Sequence, residues 1–239
     1  MDSLGDRMKR YEAVTDLTLT PRTPCVVRLD GKGFHQWTRR IHAKRPFDGT
    51  LHHLMVETML ALCQGIQGVV IGYTQSDEIS LVLQDYFGLD TESAFGKRLQ
   101  KLVSISASLA TATFNRHAAG FFPDAPLALF DARAFILPKE EVCNYLIWRQ
   151  QDAVRNSIRM AGYAHFSHKS LDRVSNDALQ ERLWQEAGVN WNDYAIWEKR
   201  GICTIRDADS RNWIVDDVTP IFTQDREYVE RRLEPEPKA

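Results

Sequence analysis

Cysteine is scarce and scattered in this sequence. The four cysteines, Cys25, Cys63, Cys143 and Cys203, form no Cys-x-x-Cys pair and have mostly apolar neighbours. This pattern argues against zinc modules and disulfide scaffolds, which need clustered or regularly spaced cysteines. We therefore expect all four to be buried as small apolar side chains.

Long apolar runs and an excess of charge of one sign are also missing. No run approaches membrane-spanning length, and the charged N-terminus lacks the apolar core of a signal peptide. The 30 lysines and arginines nearly balance the 32 acids, for a net charge of −2. A protein that coats nucleic acid indiscriminately is thereby excluded. The lack of a signal peptide and of a membrane-spanning run predicts a cytoplasmic protein without a membrane partner. At 239 residues, the chain is long enough for one large domain or a domain with an extension.

Positive charge is nevertheless concentrated in one segment. Residues 28–45 contain a single acid, Asp30, and the basic residues Arg28, Lys32, Arg39, Arg40, Lys44 and Arg45. Such a patch on a nearly neutral chain is typical of polyanion binding confined to one face. A solvated surface loop explains the charge equally well, so both interpretations stay open.

The apolar pattern predicts a simple order of elements. Strands are predicted at 25–29, 69–73, 79–83 and 127–136, and helices at 48–65 and from residue 93 onward. The order strand, helix, strand, strand, helix, strand is that of an α+β, ferredoxin-like (split βαβ) antiparallel sheet with helices on one face. Residues 1–137 would form this catalytic domain. Residues 138–230 would form a helical C-terminal extension with a hairpin near 201–215, and 231–239 a disordered tail.

Two aspartates stand at strand ends that this topology brings together. Asp30 follows the first strand and Asp77 precedes the third, which begins beside the end of the first. Two carboxylates at one sheet edge repel each other unless a divalent cation lies between them. We favour a metal site over the common alternative that both are turn residues.

The residues around Asp30 suit a triphosphate. Gly31 and Gly33 let the backbone approach a ligand closely, and their amides could cradle phosphates together with Lys32. The segment is not a P-loop, because the GxxxxGK spacing is missing. His35 could contact a nucleotide, although a lone histidine is more often structural.

Two further features could contact the same ligand. Arg98 and Lys101, at i and i+3 of the second predicted helix, could grip a phosphate tail, or they form an exposed helix face. Ser76, beside Asp77, could bond a phosphate oxygen or cap the turn.

At this point the sequence resembles a known family. The segments RLDGKGFH (28–35) and GYTQSDEISLV (72–82) resemble signature blocks of the tRNA(His) guanylyltransferases and their bacterial and archaeal relatives, the 3′-to-5′ polymerases. Shorter blocks match in register at 43–48, 98–101, 130–133, 145–152 and 199–201. The resemblance extends from about residue 7 to residue 206.

The resemblance implies a polymerase-palm sheet, a reaction and a site. Such enzymes activate a tRNA 5′ end with ATP and add GTP or another NTP to it. Asp30, the Gly31 carbonyl and Asp77 would hold two Mg²⁺ ions, with Glu78 joining them in catalysis. The implied nucleotide contacts are Asp30, Gly31, Lys32, Gly33, Phe34, His35, Ser76, Asp77, Arg98 and Lys101. The implied tRNA or 5′-end contacts are Arg28, Lys44, Asp48, Arg149 and Asn156. The partner would be tRNA(His) or a 5′-truncated tRNA, and the assembly a homotetramer.

One position departs from the eukaryotic pattern. Val154 stands where eukaryotic members carry the histidine of a His-Ile-Asn-Asn sequence, although Asn156 is retained. The bacterial and archaeal relatives, which repair tRNA 5′ ends by templated addition, are closer in this respect.

Two other functions fit the same elements. A palm-type nucleotide cyclase or other nucleotidyltransferase would need no tRNA. A non-catalytic RNA-binding module would display aromatics on its central strands, where this sequence has Val26, Val27, Ile79 and Leu81 instead.

Overall fold

A six-stranded antiparallel sheet organises the chain. The structure, a computed structural model, describes residues 2–234. The strands are β1 (Cys25–Gly31), β2 (Val69–Gln75), β3 (Glu78–Leu83), β4 (Phe130–Ile136), β5 (Ile202–Arg206) and β6 (Trp213–Asp216). They lie in the order β4-β1-β3-β2-β5-β6, each antiparallel to its neighbours. Strands β1 to β4 have the split βαβ order, so the predicted ferredoxin-like α+β class is confirmed.

The helices begin and end largely where local signals place them. They are α1 (Leu4–Ala13), α2 (Phe34–Arg40), α3 (Gly49–Gly65), α4 (Leu99–Ala118), α5 (Lys139–His165), α6 (Asn176–Ala187), α7 (Ile196–Arg200) and α8 (Glu227–Glu230). Helix α3 has the predicted cap and end. Helix α4 begins later than residue 93, because Phe95, Gly96 and Lys97 adopt positive φ angles that a helix cannot continue through.

The two faces of the sheet pack against different parts of the chain. Val27 and Leu29 of β1 lie in a core with α3 and α4. Val26 points to the opposite face and joins Tyr73, residues of α5 and Phe222 in a second core. The two helices of the split βαβ motif therefore cover one face, and the C-terminal extension covers the other.

The extension also widens the sheet. Strands β5 and β6 pair as the predicted hairpin, and β5 adds to the edge strand β2. The predicted disordered tail begins too early at 231, because Arg231–Leu233 form a 3-10 turn and Leu233 is only 1% exposed, packed in the second core. The rest of that tail, from 235 onward, lies outside the described residues.

The cysteines behave as the sequence predicts. All four are buried and free of disulfide bonds. Within residues 2–234, no helix combines the length and the apolar character needed to cross a bilayer.

Candidate active site

The ends of β1, β3 and β4 bring carboxylates together at one edge of the sheet. Asp30 of β1 lies between Glu78 of β3 and Asp131 of β4 in the strand register. Asp77 occupies the two-residue turn between β2 and β3, and its carbonyl oxygen accepts a hydrogen bond from the Gly31 amide at 3.1 Å. This bond ties the turn to the end of β1, so Asp30 and Asp77 meet as the topology predicts.

The electrostatics of Asp77 suit a cation ligand. Burial, and next the charge of Asp30, raise the pKa of Asp77 to about 6, while a hydrogen bond from the Ser76 hydroxyl at 3.1 Å opposes this. A divalent ion beside the two carboxylates would remove their repulsion, and the carbonyl oxygen of Gly31 is a further hard donor. No cluster of three or more histidine, cysteine or acidic ligands occurs among residues 2–234. Carboxylate and carbonyl oxygens are the hard donors that Mg²⁺ takes, together with waters or substrate oxygens in its shell.

Glu78 is held by an arginine from the extension. The Nε and Nη2 groups of Arg149 on α5 each donate to one carboxylate oxygen of Glu78, both at 2.7 Å. Arg149 also donates to Asp152 at 3.0 Å, and it is only 6% exposed. The guanidinium of Arg149, which the resemblance implies as a tRNA contact, is thus buried and already paired within the chain. Glu78 lies directly beside Asp30, but both of its oxygens are occupied by this pair.

The segment between β1 and α2 combines exposed and buried residues. The Lys32 amide donates to the carbonyl of Leu129 at 2.8 Å, and Gly33, with φ of 65°, turns the chain into α2. The side chains of Lys32 and His35 are exposed. Phe34 is 3% exposed and packs on other aromatic rings, so only its backbone can contact a nucleotide. First-turn amides of a helix have no partner within it, which leaves those of Phe34 and His35 for a ligand.

A cleft of about 640 Å³ opens beside Asp77. His35 and Ser76 line it, and so do the exposed cations Arg39, Lys44 and Arg45. Its opposite wall comes from the C-terminal half of α5 and the following turn. This wall includes Met160, Tyr163 and His168. The basic segment of the sequence thus faces a cleft that ends at the carboxylates.

Asp48 organises the wall of this cleft. One of its carboxylate oxygens accepts the Lys44 amide at 2.7 Å, and the other accepts the Leu51 amide at 2.9 Å as the cap of α3. The side chain therefore fixes the loop that carries Lys44. Both hydrogen bonds that Asp48 accepts within the chain therefore serve to hold the loop and the start of α3 together.

A second pocket, of about 80 Å³, adjoins the cleft through Asp48, Leu51, Ser76 and Met160. Asn156 lines it, as do Trp197 and Lys199 of α7. The rings of His52 and Trp197 are stacked there, with centroids 4.2 Å apart, and burial lowers the pKa of His52 to about 4. Sequence reasoning missed Trp197 and His52, and the only pointer was the matching block at 199–201.

Arg98 and Lys101 are not brought to this site. They belong to the first turn of α4, where Leu102 packs near Cys25 at the opposite end of β1. Five residues of strand separate that end from Asp30, about 16 Å at about 3.3 Å per residue. Arg98 is paired with Asp16 at 2.7 Å instead. Within one chain, these two residues therefore lie away from the carboxylates, and their phosphate contact stays a prediction.

Arg28 lies close to the carboxylates. It precedes Asp30 by two residues on β1 and so points to the same face of the sheet. Its guanidinium carbon is 5.9 Å from the centre of the Trp148 ring.

Comparisons with known proteins agree with this geometry. The family model of tRNA(His) guanylyltransferase matches residues 5–138. The tRNA(His) guanylyltransferase of Schizosaccharomyces pombe is 30% identical over 219 residues, which cover 86% of this chain and 81% of the yeast protein. That of Eremothecium gossypii is 28% identical over 213 residues, covering 80% of this chain and 88% of its own.

Solved structures are similar over nearly the whole length. A bacterial tRNA(His) guanylyltransferase-like protein in complex with ATP is 48% identical, with a TM-score of 0.93, and the match covers 97% of this chain and 99% of that one. A second, in complex with GTP, is 45% identical with a TM-score of 0.84, covering 96% and 99%. Taken with the converging carboxylates, these similarities mean that the chain is a nucleotidyltransferase that belongs to the tRNA(His) guanylyltransferase family.

Proposed function

We propose that this enzyme adds nucleotides to the 5′ end of a tRNA in the 3′-to-5′ direction. ATP would activate the 5′-monophosphate as an adenylylated end, and the 3′-hydroxyl of GTP or another NTP would then attack it. The observation that carries this proposal is the meeting of Asp30 and Asp77 at the end of a cationic cleft. The bacterial proteins with ATP and with GTP, at 48% and 45% identity, support the choice of nucleotides.

Asp30, Asp77 and the Gly31 carbonyl would hold two Mg²⁺ ions. When bound, such ions lower the pKa of an attacking hydroxyl and neutralise the leaving pyrophosphate. Arg149 holds the Glu78 carboxylate in place beside Asp30 and opposes the rise in the pKa of Glu78 that burial causes, so Glu78 supports the shape of the site.

The chain's own groups would bind and orient the triphosphate. The amides that begin α2 donate toward an anion, and Lys32, His35 and Lys44 supply charge or hydrogen bonds around the cleft. Ser76, held beside Asp77, would donate to a phosphate oxygen. Asn156 extends the site into the second pocket.

We further propose templated repair of truncated tRNAs as the main activity. Val154 cannot donate a proton or a hydrogen bond from its side chain, unlike the histidine of the eukaryotic members. Reading the opposite strand would then select the added nucleotide by base pairing.

The assembly and its location complete the proposal. Leu4, Tyr11 and Val14 in and after α1 are 66%, 70% and 77% exposed, which favours burial against further copies in a homotetramer. Four free, buried cysteines agree with a reducing compartment such as the cytoplasm. The palm of residues 1–137 and the extension of 138–230 would act as one catalytic unit.

The test offers the purified enzyme 5′-labelled, monophosphorylated tRNA(His), either full-length or lacking its first nucleotide, with Mg²⁺, ATP and each NTP. Addition only of the nucleotide that pairs with the opposite strand supports repair. Addition of G opposite a non-pairing base would instead identify a non-templated guanylyltransferase. Asp30→Ala and Asp77→Ala should each abolish addition, whereas Asp124→Ala, in an exposed loop, should not.

Two results would contradict the proposal. Near-normal turnover by either aspartate variant would remove the proposed metal site. Consumption of ATP or GTP without any dependence on tRNA would favour a nucleotide cyclase. A simple RNA-binding module is disfavoured by α5 and the extension, which cover the sheet face that such modules leave open.

A further inference from the structure

Two arginines face each other across the sheet beside the carboxylates. Arg28 of β1 lies opposite Arg133 of β4, just as Asp30 lies opposite Asp131 one step along the same face. The sheet edge therefore carries a row of carboxylates and, behind it, a pair of guanidinium groups. Like charges directly opposite each other in neighbouring strands are destabilising, so this pair attracts an anion wherever the arginines are not neutralised already.

Neither arginine makes a short ion pair among the described residues, although the charge of Arg28 acts on Glu78. Arg133 is 53% exposed at its side chain and approaches Asp131 no closer than 3.7 Å. The Nε group of Arg28 is buried and has no hydrogen-bond partner among the described residues. Leaving a buried donor of a charged group unpaired is costly. An anion placed between the two guanidinium groups would satisfy this donor and remove the repulsion.

An exposed tryptophan stands beside this pair. Trp148 of α5 is 49% exposed, although large aromatics are usually buried. The guanidinium of Arg149 lies 4.4 Å from its ring centre and that of Arg28 5.9 Å away. Glu78 holds Arg149 in place, and the guanidinium of Arg149 packs on the indole of Trp148. About half of the indole surface stays exposed to solvent. A rigid aromatic surface next to cations is the arrangement that stacks an unpaired base.

This face is separate from the nucleotide cleft. The cleft and its adjoining pocket are lined by α2, α3, α7 and the C-terminal half of α5. Trp148 lies in the first half of α5, above β1 and β4. Asp30 lies on the same face of β1 as Arg28, two residues further along the strand, so this face continues towards the carboxylates.

We propose that Arg133 and Trp148, together with Arg28, bind the 5′ terminus of the RNA acceptor. The two arginines contact the terminal phosphate, and the indole stacks on the terminal base. This inference rests on the proposed function and adds to it the residues that recognise the second substrate. It accounts for the facing arginines, the unpaired Nε group and the exposed indole with one ligand.

The experiment measures binding without nucleotide, so that no turnover occurs. A tRNA labelled at its 3′ end carries either a 5′-monophosphate or a 5′-hydroxyl, and fluorescence anisotropy gives the Kd of each. The wild-type enzyme should prefer the phosphorylated RNA about tenfold, as expected for a charge-assisted contact. Arg133→Gln should abolish most of this preference. Arg116→Gln, which removes an exposed arginine from α4 on the opposite face, should retain it.

The tryptophan is tested with the same two RNAs. Trp148→Ala should weaken both about tenfold without changing their ratio, because stacking does not depend on the phosphate. Trp148→Phe should restore most of the affinity. Trp184→Ala removes another exposed tryptophan, 56% exposed on α6, and should bind as the wild type does.

Three outcomes would overturn the inference. They are a wild type without a preference, an unchanged preference in Arg133→Gln, or an unchanged affinity in Trp148→Ala. Nucleotide addition by the same wild-type preparation separates the two proposals. Addition together with any of these outcomes refutes only the 5′-end site, whereas the expected binding without addition to any tRNA refutes the proposed function.

Discussion

At the scale of single residues, the pair Glu78 and Arg149 links the active-site edge to the extension. Both side chains are nearly inaccessible, 10% and 7% exposed, and joined by two hydrogen bonds. Removing one partner leaves a buried charge, so Arg149→Met should lower the free energy of unfolding by about 3–5 kcal/mol. Urea denaturation measures this. The double variant Glu78→Gln, Arg149→Met should recover part of the loss.

The matched control shares a carboxylate with this pair. Arg155 donates to Asp152 at 2.9 Å, but its side chain is 52% exposed. Arg155→Met should therefore cost less than about 1 kcal/mol. Equal losses in the two single variants would show that burial of the Glu78 pair has no special importance.

The folding stability of the protein should depend on pH through one residue, His52. Burial against Trp197 lowers its pKa from 6.5 to about 4. Between these pH values the unfolded chain binds a proton at this histidine and the folded chain does not, so stability is lost as the pH falls from 6.5 towards 4. His52→Phe keeps a stacked ring and removes the titration. Its urea midpoint should fall less than that of the wild type between pH 7 and pH 5. His53 is the exposed neighbour of His52, and the urea midpoint of His53→Phe should fall as much as that of the wild type.

At the scale of elements, the cap of α3 couples helix stability to the cleft. Asp48→Ala should cost about 1 kcal/mol as a lost N-cap. It also releases the loop that carries Lys44 in the wall of the cleft, so the KM values for the nucleotide and for the tRNA should both rise. Asp48→Asn keeps a cap and should have a smaller effect. Ser175→Ala removes the cap of α6, away from the cleft, and should lower stability without changing either KM. A rise in the nucleotide KM in Ser175→Ala would refute the coupling.

The order of elements was largely predictable, because apolar periodicity is local. It placed β1, α3, β2 and β3 within a few residues, and topology then brought Asp30 and Asp77 to one edge. The same topology also places the start of α4 at the far end, since β3 runs away from the site. The expectation for Arg98 and Lys101 rested on their i, i+3 spacing and on the family resemblance, and it did not use this argument.

Contacts between distant segments were not predictable in the same way. The pair Glu78 and Arg149 spans 71 residues and depends on how α5 crosses the sheet. The stack of His52 on Trp197 depends likewise on the position of α7. In both pairs, the sequence around each residue contains no local pattern that predicts its partner. The tail was predicted from its proline and glutamate content, which does not reveal that Leu233 packs in the second core.

At the scale of the whole molecule, the palm and the extension share one sheet and both of its cores. Val26 and Tyr73 belong to residues 1–137, yet they are 0% and 1% exposed because α5 and the C-terminal segment cover them. Each such side chain contributes about 1.5–3 kcal/mol when buried. A fragment of residues 1–137 would expose this whole face. We therefore expect it to show no cooperative unfolding transition of its own.

The extension should be required down to its last turn. Tyr228, Val229 and Leu233 are 7%, 0% and 1% exposed in the second core, so a chain that ends at residue 226 should lose several kcal/mol of stability, about 2–5 for each large apolar side chain removed. A chain that ends at residue 234 keeps these contacts and should match the full length.

Urea unfolding followed by both circular dichroism and tryptophan fluorescence makes the comparison, and coincident curves indicate one cooperative unit. An independent transition in the fragment 1–137, or full stability in the chain ending at 226, would mean that the palm folds without the extension, and that the second core only attaches a separate domain.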